Sequence, residues 1–423
     1  MDEKIKLLGE YNFWGDGNID TGFPRTLYTA KISQYLGNRL VKVLCGQRRV
    51  GKSYILRQMS KVLIESHSVA PQNTFMLNKD IVAFDFVADY RGLDELFRAY
   101  LREIAPKGKV YLFLDEVQNI EGWEKFVDSY SQDYTREYEI FITGSNSKML
   151  SGELATMLSG RYVAFEVMPF SFEEYTACKG LVPGRSSYIE YLGDGGLPEL
   201  LNLSGQEARR NYVMSLKDTI MMRDIVGRYQ IKDPGMLEDL FVYLVNNTSS
   251  LFSANNLVKY YKGRGKAVSY DKISQYIRYL ADAYLLHRVE RYDIRGKATL
   301  SGVCKYYVND MAFHNYLYRG VAHGVGYDLE NVVYLDFRRH GYDVYVGTLH
   351  GKEVDFVAMK DDRVIYVQVA YMLIDEATIQ REYAPLRAIA DNYEKIVVSL
   401  DDIARPSDGG IRNIRAWEMG KVL

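Results

Sequence analysis

Gly46-Gln47-Arg48-Arg49-Val50-Gly51-Lys52-Ser53 has the residue types and spacing needed to hold phosphate. Its two glycines let the backbone wrap an anion so that successive N–H groups point inward, and a helix starting at the end of the run adds its positive dipole end. Lys52 supplies a point charge to β and γ oxygens, and Ser53 offers a hydroxyl to Mg²⁺. The run follows an apolar strand, Val41-Lys42-Val43-Leu44-Cys45, and precedes a helical pattern, which is the context such a loop requires. The nucleotide-binding set is therefore Gly46, Gln47, Arg48, Arg49, Val50, Gly51, Lys52, Ser53 and Tyr54, with ATP and Mg²⁺ as expected cofactors.

Val110-Tyr111-Leu112-Phe113-Leu114 delivers Asp115-Glu116 to the C-terminal edge of a sheet, where open α/β folds place their ligands. Asp115 suits Mg²⁺ held together with Ser53, and Glu116 suits the task of orienting and polarising the water that attacks a γ-phosphate. Tyr138-Glu139-Ile140-Phe141-Ile142-Thr143 ends in Gly144-Ser145-Asn146, so Ser145 or Asn146 is expected to sense the γ-phosphate, with ordinary turn chemistry as the alternative. Arg161, in Leu158-Ser159-Gly160-Arg161-Tyr162, is a candidate for stabilising transition-state charge, in cis or from a neighbouring subunit. A surface ion pair is its other reading. Lys52, Glu116, Ser145, Asn146 and Arg161 make up the expected catalytic set.

These side chains need a scaffold, and the chain between Leu40 and Val167 supplies its pattern. Short apolar runs at Leu40 to Cys45, Ile81 to Val87, Val110 to Leu114, Glu139 to Thr143 and Tyr162 to Val167 alternate with helical periodicities, the signature of a parallel sheet. Leu93, Leu96, Phe97, Tyr100, Leu101 and Ile104 recur at helical spacing and belong on a face of that sheet. Ser171 and Glu174 have capping-box spacing and predict a helix start. A break at Gly193 to Pro198 leads into a mainly helical stretch, then two strands at Leu286 to Tyr292 and Val303 to Val308. Helices followed by a hairpin predict a winged helix. From about Tyr327 a helix, three strands, a helix and a strand at Ile396 to Leu400 form a further α/β module.

The chain resembles bacterial AAA-type ATPases whose P-loop domain is followed by a C-terminal domain of unknown function. The residues that carry the resemblance are Gly46 to Ser53, Leu112 to Glu116, Thr143-Gly144-Ser145, Leu158 to Tyr162, Pro169-Phe170-Ser171-Phe172-Glu173-Glu174-Tyr175 and Gly195-Gly196-Leu197-Pro198-Glu199. The resemblance implies a P-loop NTPase domain over 1–200, a helical and winged-helix domain over 201–310 and a nuclease-like module over 311–423. Gly351 to Val357 and Val364 to Ala370 resemble the hairpin of restriction-endonuclease-like folds, preceded by a helix with Glu330. Active members bind metal through an aspartate and an acid and carry a lysine two residues on. Here those positions are Asp355, Gln368 and Ala370. With no lysine there to polarise water, a non-cleaving binding or assembly domain is expected.

Composition narrows the partners. The 423 residues suggest roughly three domains, and a net charge of −2 excludes nucleic-acid binding through bulk basicity. Yet Lys259 to Lys305 holds eleven Lys or Arg against four Asp or Glu. Lys259, Lys262, Arg264, Lys266, Arg295 and Lys297 could meet phosphates, with Lys272, Gln275, Tyr276 and Arg278 outward on a helix whose core face is Ile273, Ile277, Leu280 and Tyr284. DNA contact through 259–305 is one reading, and a solvated face that docks on the ATPase, a second copy or a protein client is the other. Three widely spaced cysteines and a charged N-terminus predict a cytoplasmic protein without a membrane segment. Three functions fit: a nucleotide-driven switch, an ATP-gated nuclease needing another lysine near Asp355, for which the sequence offers Lys352 and Lys360 nearby, and a slowly hydrolysing scaffold.

Overall fold

The computed structural model describes residues 2–145, 158, 160–265, 268–318, 325–403 and 405–423. The chain divides into two compact units, Met1–Val167 and Met168–Leu423.

In the first unit α1 (Glu3–Gly9) and α2 (Thr26–Ser33) precede β1 (Val41–Cys45), α3 (Lys52–Ser66), β2 (Thr74–Asn78), α4 (Tyr90–Glu103), β3 (Val110–Asp115), α5 (Trp123–Gln132), β4 (Tyr138–Gly144) and β5 (Tyr162–Glu166). The strands form one parallel sheet in the order β2-β3-β4-β1-β5. Asp89 caps α4 by accepting from the N–H groups of Arg91 and Gly92, and Leu93, Leu96, Phe97 and Tyr100 bury its apolar stripe. Phe75 meets Phe97 and Tyr100 edge-on at 5.0 and 5.2 Å. The sheet interior is not wholly apolar: Lys42 on β1 donates to Glu139 on β4 at 2.6 Å, with both side chains fully buried.

Ile81 to Val87 is not the expected strand. The strand is Thr74–Asn78, whose Asn78 pairs with Asp115; Asn78 Oδ1 then accepts from the Asp80 N–H and turns the chain out of the sheet. A short 3₁₀ turn, Val82–Phe84, follows, with Phe84 buried and Val82 exposed.

The second unit opens with α6 (Phe172–Lys179), started by the expected Ser171/Glu174 capping box, and α7 (Arg185–Asp194). Then come α8 (Gln206–Thr219), α9 (Pro234–Asn246), β6 (Leu251–Phe252), α10 (Ala254–Gly263), α11 (Tyr270–Asp282), β7 (Leu286–Asp293), β8 (Ala298–Val308) and α12 (Ala312–Leu317). The chain ends with α13 (Val325–Arg339), β9 (Asp343–Leu349), β10 (Lys352–Lys360), β11 (Arg363–Ala370), α14 (Glu376–Arg387), β12 (Glu394–Ser399) and β13 (Ile411–Arg415). The strand order is β13-β12-β11-β10-β9-β7-β8-β6, one sheet of eight strands.

Expected boundaries at 200 and 310 differ from this division for two physical reasons. Met168, Phe172, Tyr175, Tyr188 and Tyr191 share a core with Leu329, Val333 and Phe356, so residues 168–200 belong to the second unit. Parallel pairing of β7 with β9, Arg291 to Val346 through Asp293 to Thr348, makes the hairpin and the C-terminal strands continuous. Ile273, Ile277 and Leu280 of α11 are buried as expected, and so is Tyr284, which lies just past the end of the helix, but Tyr276 is buried as well instead of outward. Its ring lies 6.4 Å from that of Tyr279.

Candidate functional site

β1 ends at Cys45, and the chain enters the loop through Gly46 at φ +144, where a Cβ would lie 2.2 Å from the Val167 carbonyl oxygen. Only glycine fits there. Gly51, at φ +97, caps α3, so Lys52 and Ser53 open that helix at the C-terminal edge of the sheet. Lys52 is buried, and its Nζ donates to the carbonyls of Gly46 and Gln47 at 3.0 Å each. The ammonium is thus poised over the loop, where a phosphate oxygen can take the place of those carbonyls. Arg49 turns the loop at φ +68.

Asp115 and Glu116 arrive beside it. The Ser53 hydroxyl hydrogen-bonds Asp115, which burial first and the Glu116 charge second push up to about 6. Thr143 joins the two acids: its Oγ1 donates to Asp115 Oδ1 at 2.5 Å and accepts from the Glu116 N–H at 2.9 Å. Glu116 sits at φ +55, a left-handed conformation costly for a residue with a Cβ, and its carboxylate accepts from the Gln118 amide. Ser145 lies just beyond β4, buried, its hydroxyl without a partner among the described residues. Asn146 lies outside the described residues.

Arg161 is not brought to this cluster. It precedes β5, and Val41 at the start of β1 donates its N–H to the Arg161 carbonyl. The residue therefore stands at the opposite edge of the sheet, a five-residue strand or about 17 Å away. Its guanidinium pairs with Asp128 at 3.1 Å, so the in-cis role gives way to the ion-pair reading.

Three contributors escaped sequence reasoning. Thr143 was legible as a strand end and as part of the Thr143-Gly144-Ser145 motif, but not as the link between the two acids. Arg25, fully buried, donates from Nη1 to the Val50 carbonyl at 2.8 Å and braces the loop from an N-terminal segment with no motif. Gln58 of α3 holds that segment through the Thr21 and Phe23 carbonyls, each at 2.7 Å. Tyr54 faces the same segment: a Cβ on Gly22 would lie 2.5 Å from its ring.

In the second unit, Glu330, Asp355 and Gln368 converge as expected, and a lysine not foreseen there joins them. Lys305, counted with the basic stretch, is buried at 3.0 Å from Glu330 and 2.7 Å from Glu353. Lys259, Lys262, Arg264, Arg295 and Lys297 are exposed, and Lys266 lies outside the described residues.

The glycine cradle, the poised ammonium and the Ser53–Asp115 pair fit a nucleoside triphosphate with Mg²⁺. Residues 38–176 match a family described as an AAA domain, and residues 185–323 match a domain of unknown function, DUF8612. An uncharacterized protein of Haemophilus influenzae is 32% identical over 380 residues, covering 89% of this chain and 92% of that one. The uncharacterized protein MJ1544 of Methanocaldococcus jannaschii is 31% identical over 382 residues, covering 85% of this chain and 79% of its own. The chain belongs to their family. In this chain the AAA-domain match falls on the P-loop and its parallel sheet. Among solved structures, the Walker-type ATPase PABY2304 of Pyrococcus abyssi is similar at TM-score 0.44 and 15% identity, over 70% of this chain and 96% of that one. The Aeropyrum pernix Orc1 protein in complex with DNA is similar at TM-score 0.31 and 14% identity, over 75% and 97%. No described helix is long and apolar enough to cross a membrane.

Proposed function

We propose that the protein is a Mg²⁺-dependent ATPase that works as a nucleotide-driven switch, with the second unit as the responding arm. The single observation that carries the reading is the chain Ser53–Asp115–Thr143–Glu116, which ties the loop's hydroxyl, the metal-binding acid and the candidate base into one hydrogen-bonded group. When bound, Mg²⁺ supplies neutralising charge on the β and γ oxygens, and Ser53 and Asp115 would hold it. Lys52 exchanges its two carbonyl partners for phosphate oxygens. Glu116, aimed by Thr143 through its backbone, orients the attacking water and accepts its proton.

Lys52→Ala should lose ATP affinity at least tenfold, whereas Glu116→Gln should retain affinity and lose turnover by about a hundredfold or more. Fluorescent-nucleotide titration beside a phosphate-release assay separates the two. Equal loss of binding in both would sink the assignment of Glu116.

The order α9-β6-α10-α11-β7-β8, with β8 between β6 and β7, supports a winged-helix reading of the basic segment. The exposed Lys259, Lys262, Arg264, Arg295 and Lys297 are then its DNA-facing charges. The C-terminal strands act as a binding module that does not cleave.

A further inference from the structure

The second unit contains a cavity of about 1020 Å³ lined from β8, α13, β10, β11 and α14. On its floor the Lys305 ammonium contacts Glu330 Oε1 and Glu353 Oε1, while the Tyr307 hydroxyl donates to that same Glu330 oxygen at 2.7 Å. Asp355 Oδ2 accepts from the Val369 N–H at 2.7 Å. These bonds occupy one oxygen of each buried carboxylate. Asp355 Oδ1 and Glu330 Oε2 have no donor among the described residues, although the two residues are only 8% and 7% exposed and both line the cavity. Arg381 is spent on Glu382 at 2.8 Å. Glu330, Glu353 and Asp355 therefore have Lys305 as the one buried ammonium beside them among the described residues, while Lys352, also on the cavity wall, is exposed.

The mouth has a different chemistry. Tyr327 and Tyr371 are 44% and 40% exposed, and Leu251 and Ile374 are 51% and 75% exposed. Aromatic faces and aliphatic edges around an anionic floor match a cation carried on an apolar stem.

We propose that this cavity receives a single basic side chain, Arg or Lys, presented by an extended segment of a protein client. Asp355 Oδ1 and Glu330 Oε2 accept from the charged head, and Tyr327 and Tyr371 pack the stem. The proposal rests on reading the C-terminal strands as a non-cleaving binding module, and it names what that module binds. A phosphate backbone would meet the carboxylate surplus. Among the described residues no group of three or more His, Cys, Asp or Glu is arranged to hold a metal ion, and Lys305 already stands among the acids.

Burial holds the Asp355 carboxyl well above its usual range; Glu330 on α13 and Glu353 on its own strand add to this, while Lys305 on β8 opposes it. Tyr307, Gln368, the Glu382–Arg381 pair and the exposed Lys352 on the cavity wall are its other charged and polar neighbours. A bound cation displaces that proton, so affinity should rise with pH.

The test is selection of a displayed nine-residue random-peptide library on the full chain. Wild type should enrich peptides with one Arg or Lys beside apolar residues, and changing that residue to Met should weaken binding tenfold or more by fluorescence anisotropy. Asp355→Asn and Glu330→Gln should each weaken it similarly with ATP turnover retained, and Tyr371→Ser, at the exposed mouth, should weaken it without touching the floor. Selection without a basic residue, or peptides indifferent to all three variants, would overturn the proposal while leaving the non-cleaving reading intact. Mn²⁺-dependent strand scission that vanishes in Asp355→Asn would overturn both.

Discussion

Thr143 links the two acids of the nucleotide site, one through its proton and the other through its lone pair. Thr143→Val keeps the shape and removes both bonds. It should lower ATP turnover about tenfold, corresponding to about 1.4 kcal/mol, while ATP affinity changes less than about threefold; a variant with unchanged turnover would show that Asp115 and Glu116 hold their places alone. Lys52, Ser53, Asp115 and Glu116 were legible in the sequence because each sits inside a motif whose spacing encodes the geometry. Thr143 and Arg25 were not, since their roles depend on which strand lies beside which and where an unpatterned segment crosses the loop. Arg161 is a different case: it stands just before a parallel strand, hence at the edge opposite the loop, and only the fold shows Asp128 there to pair with it.

At the level of elements, the pattern of apolar runs located β1, β3 and β4, because parallel strands buried on both faces are apolar almost throughout, and it also located the half-exposed edge strand β5 and the stripe of α4. Lys42 inside β1 broke that pattern without breaking the strand, since Glu139 on the neighbouring strand neutralises it. Lys42→Met should destabilise the first unit by about 1–3 kcal/mol in urea unfolding, by leaving Glu139 Oε1 without its ammonium while Lys109 still holds Oε2 at 2.5 Å. Lys42→Met with Glu139→Leu should recover most of the loss, and a double variant as weak as the single one would refute the pairing argument. A second element-level device is Asp310, which accepts from the Gly196 and Ala312 N–H groups, each at 2.8 Å, and clamps the glycine turn after α7. Burial pushes its carboxyl from 3.8 up to about 7. The protonated form is thus favoured in the fold, so the contribution of this group to stability is greatest below about pH 4 and falls as pH rises toward 7. The melting temperature of the second unit should drop between about pH 4 and 7, and Asp310→Asn should make that drop smaller, the rest belonging to Asp328 and Asp336, which burial also pushes up to about 7. A slope unchanged by the substitution would assign it to other carboxylates.

For the whole molecule, DNA contact is an electrostatic claim and has an electrostatic test. If the exposed lysines and arginines of 259–297 meet phosphates, affinity should fall steeply with salt, by a log–log slope of about −0.9 per contact, and replacing Lys259, Lys262 and Arg264 with Ala should make the slope shallower by about 2 to 3. Binding with no salt dependence, or no binding at low salt, would leave the basic face to a protein partner. Charge segregation was legible by counting, but its interpretation was only half available: Lys305 counted as a surface charge and is an interior one. The expected boundaries at 200 and 310 differ from the two compact units, because core sharing by Met168 to Tyr191 and pairing between β7 and β9 are long-range facts.

That pairing constrains how the chain can be cut or rearranged. A fragment ending near Asp310 would strip β9 from β7 and leave Arg291 to Asp293 as an open row of unmatched N–H and C=O groups, a template for the same edge on another copy. A fragment beginning near Asp343 would carry the complementary raw edge on β9. Each half would tend to self-associate, and the two mixed together should anneal along that seam, because the basic hairpin and the carboxylate-lined cavity are built on one sheet.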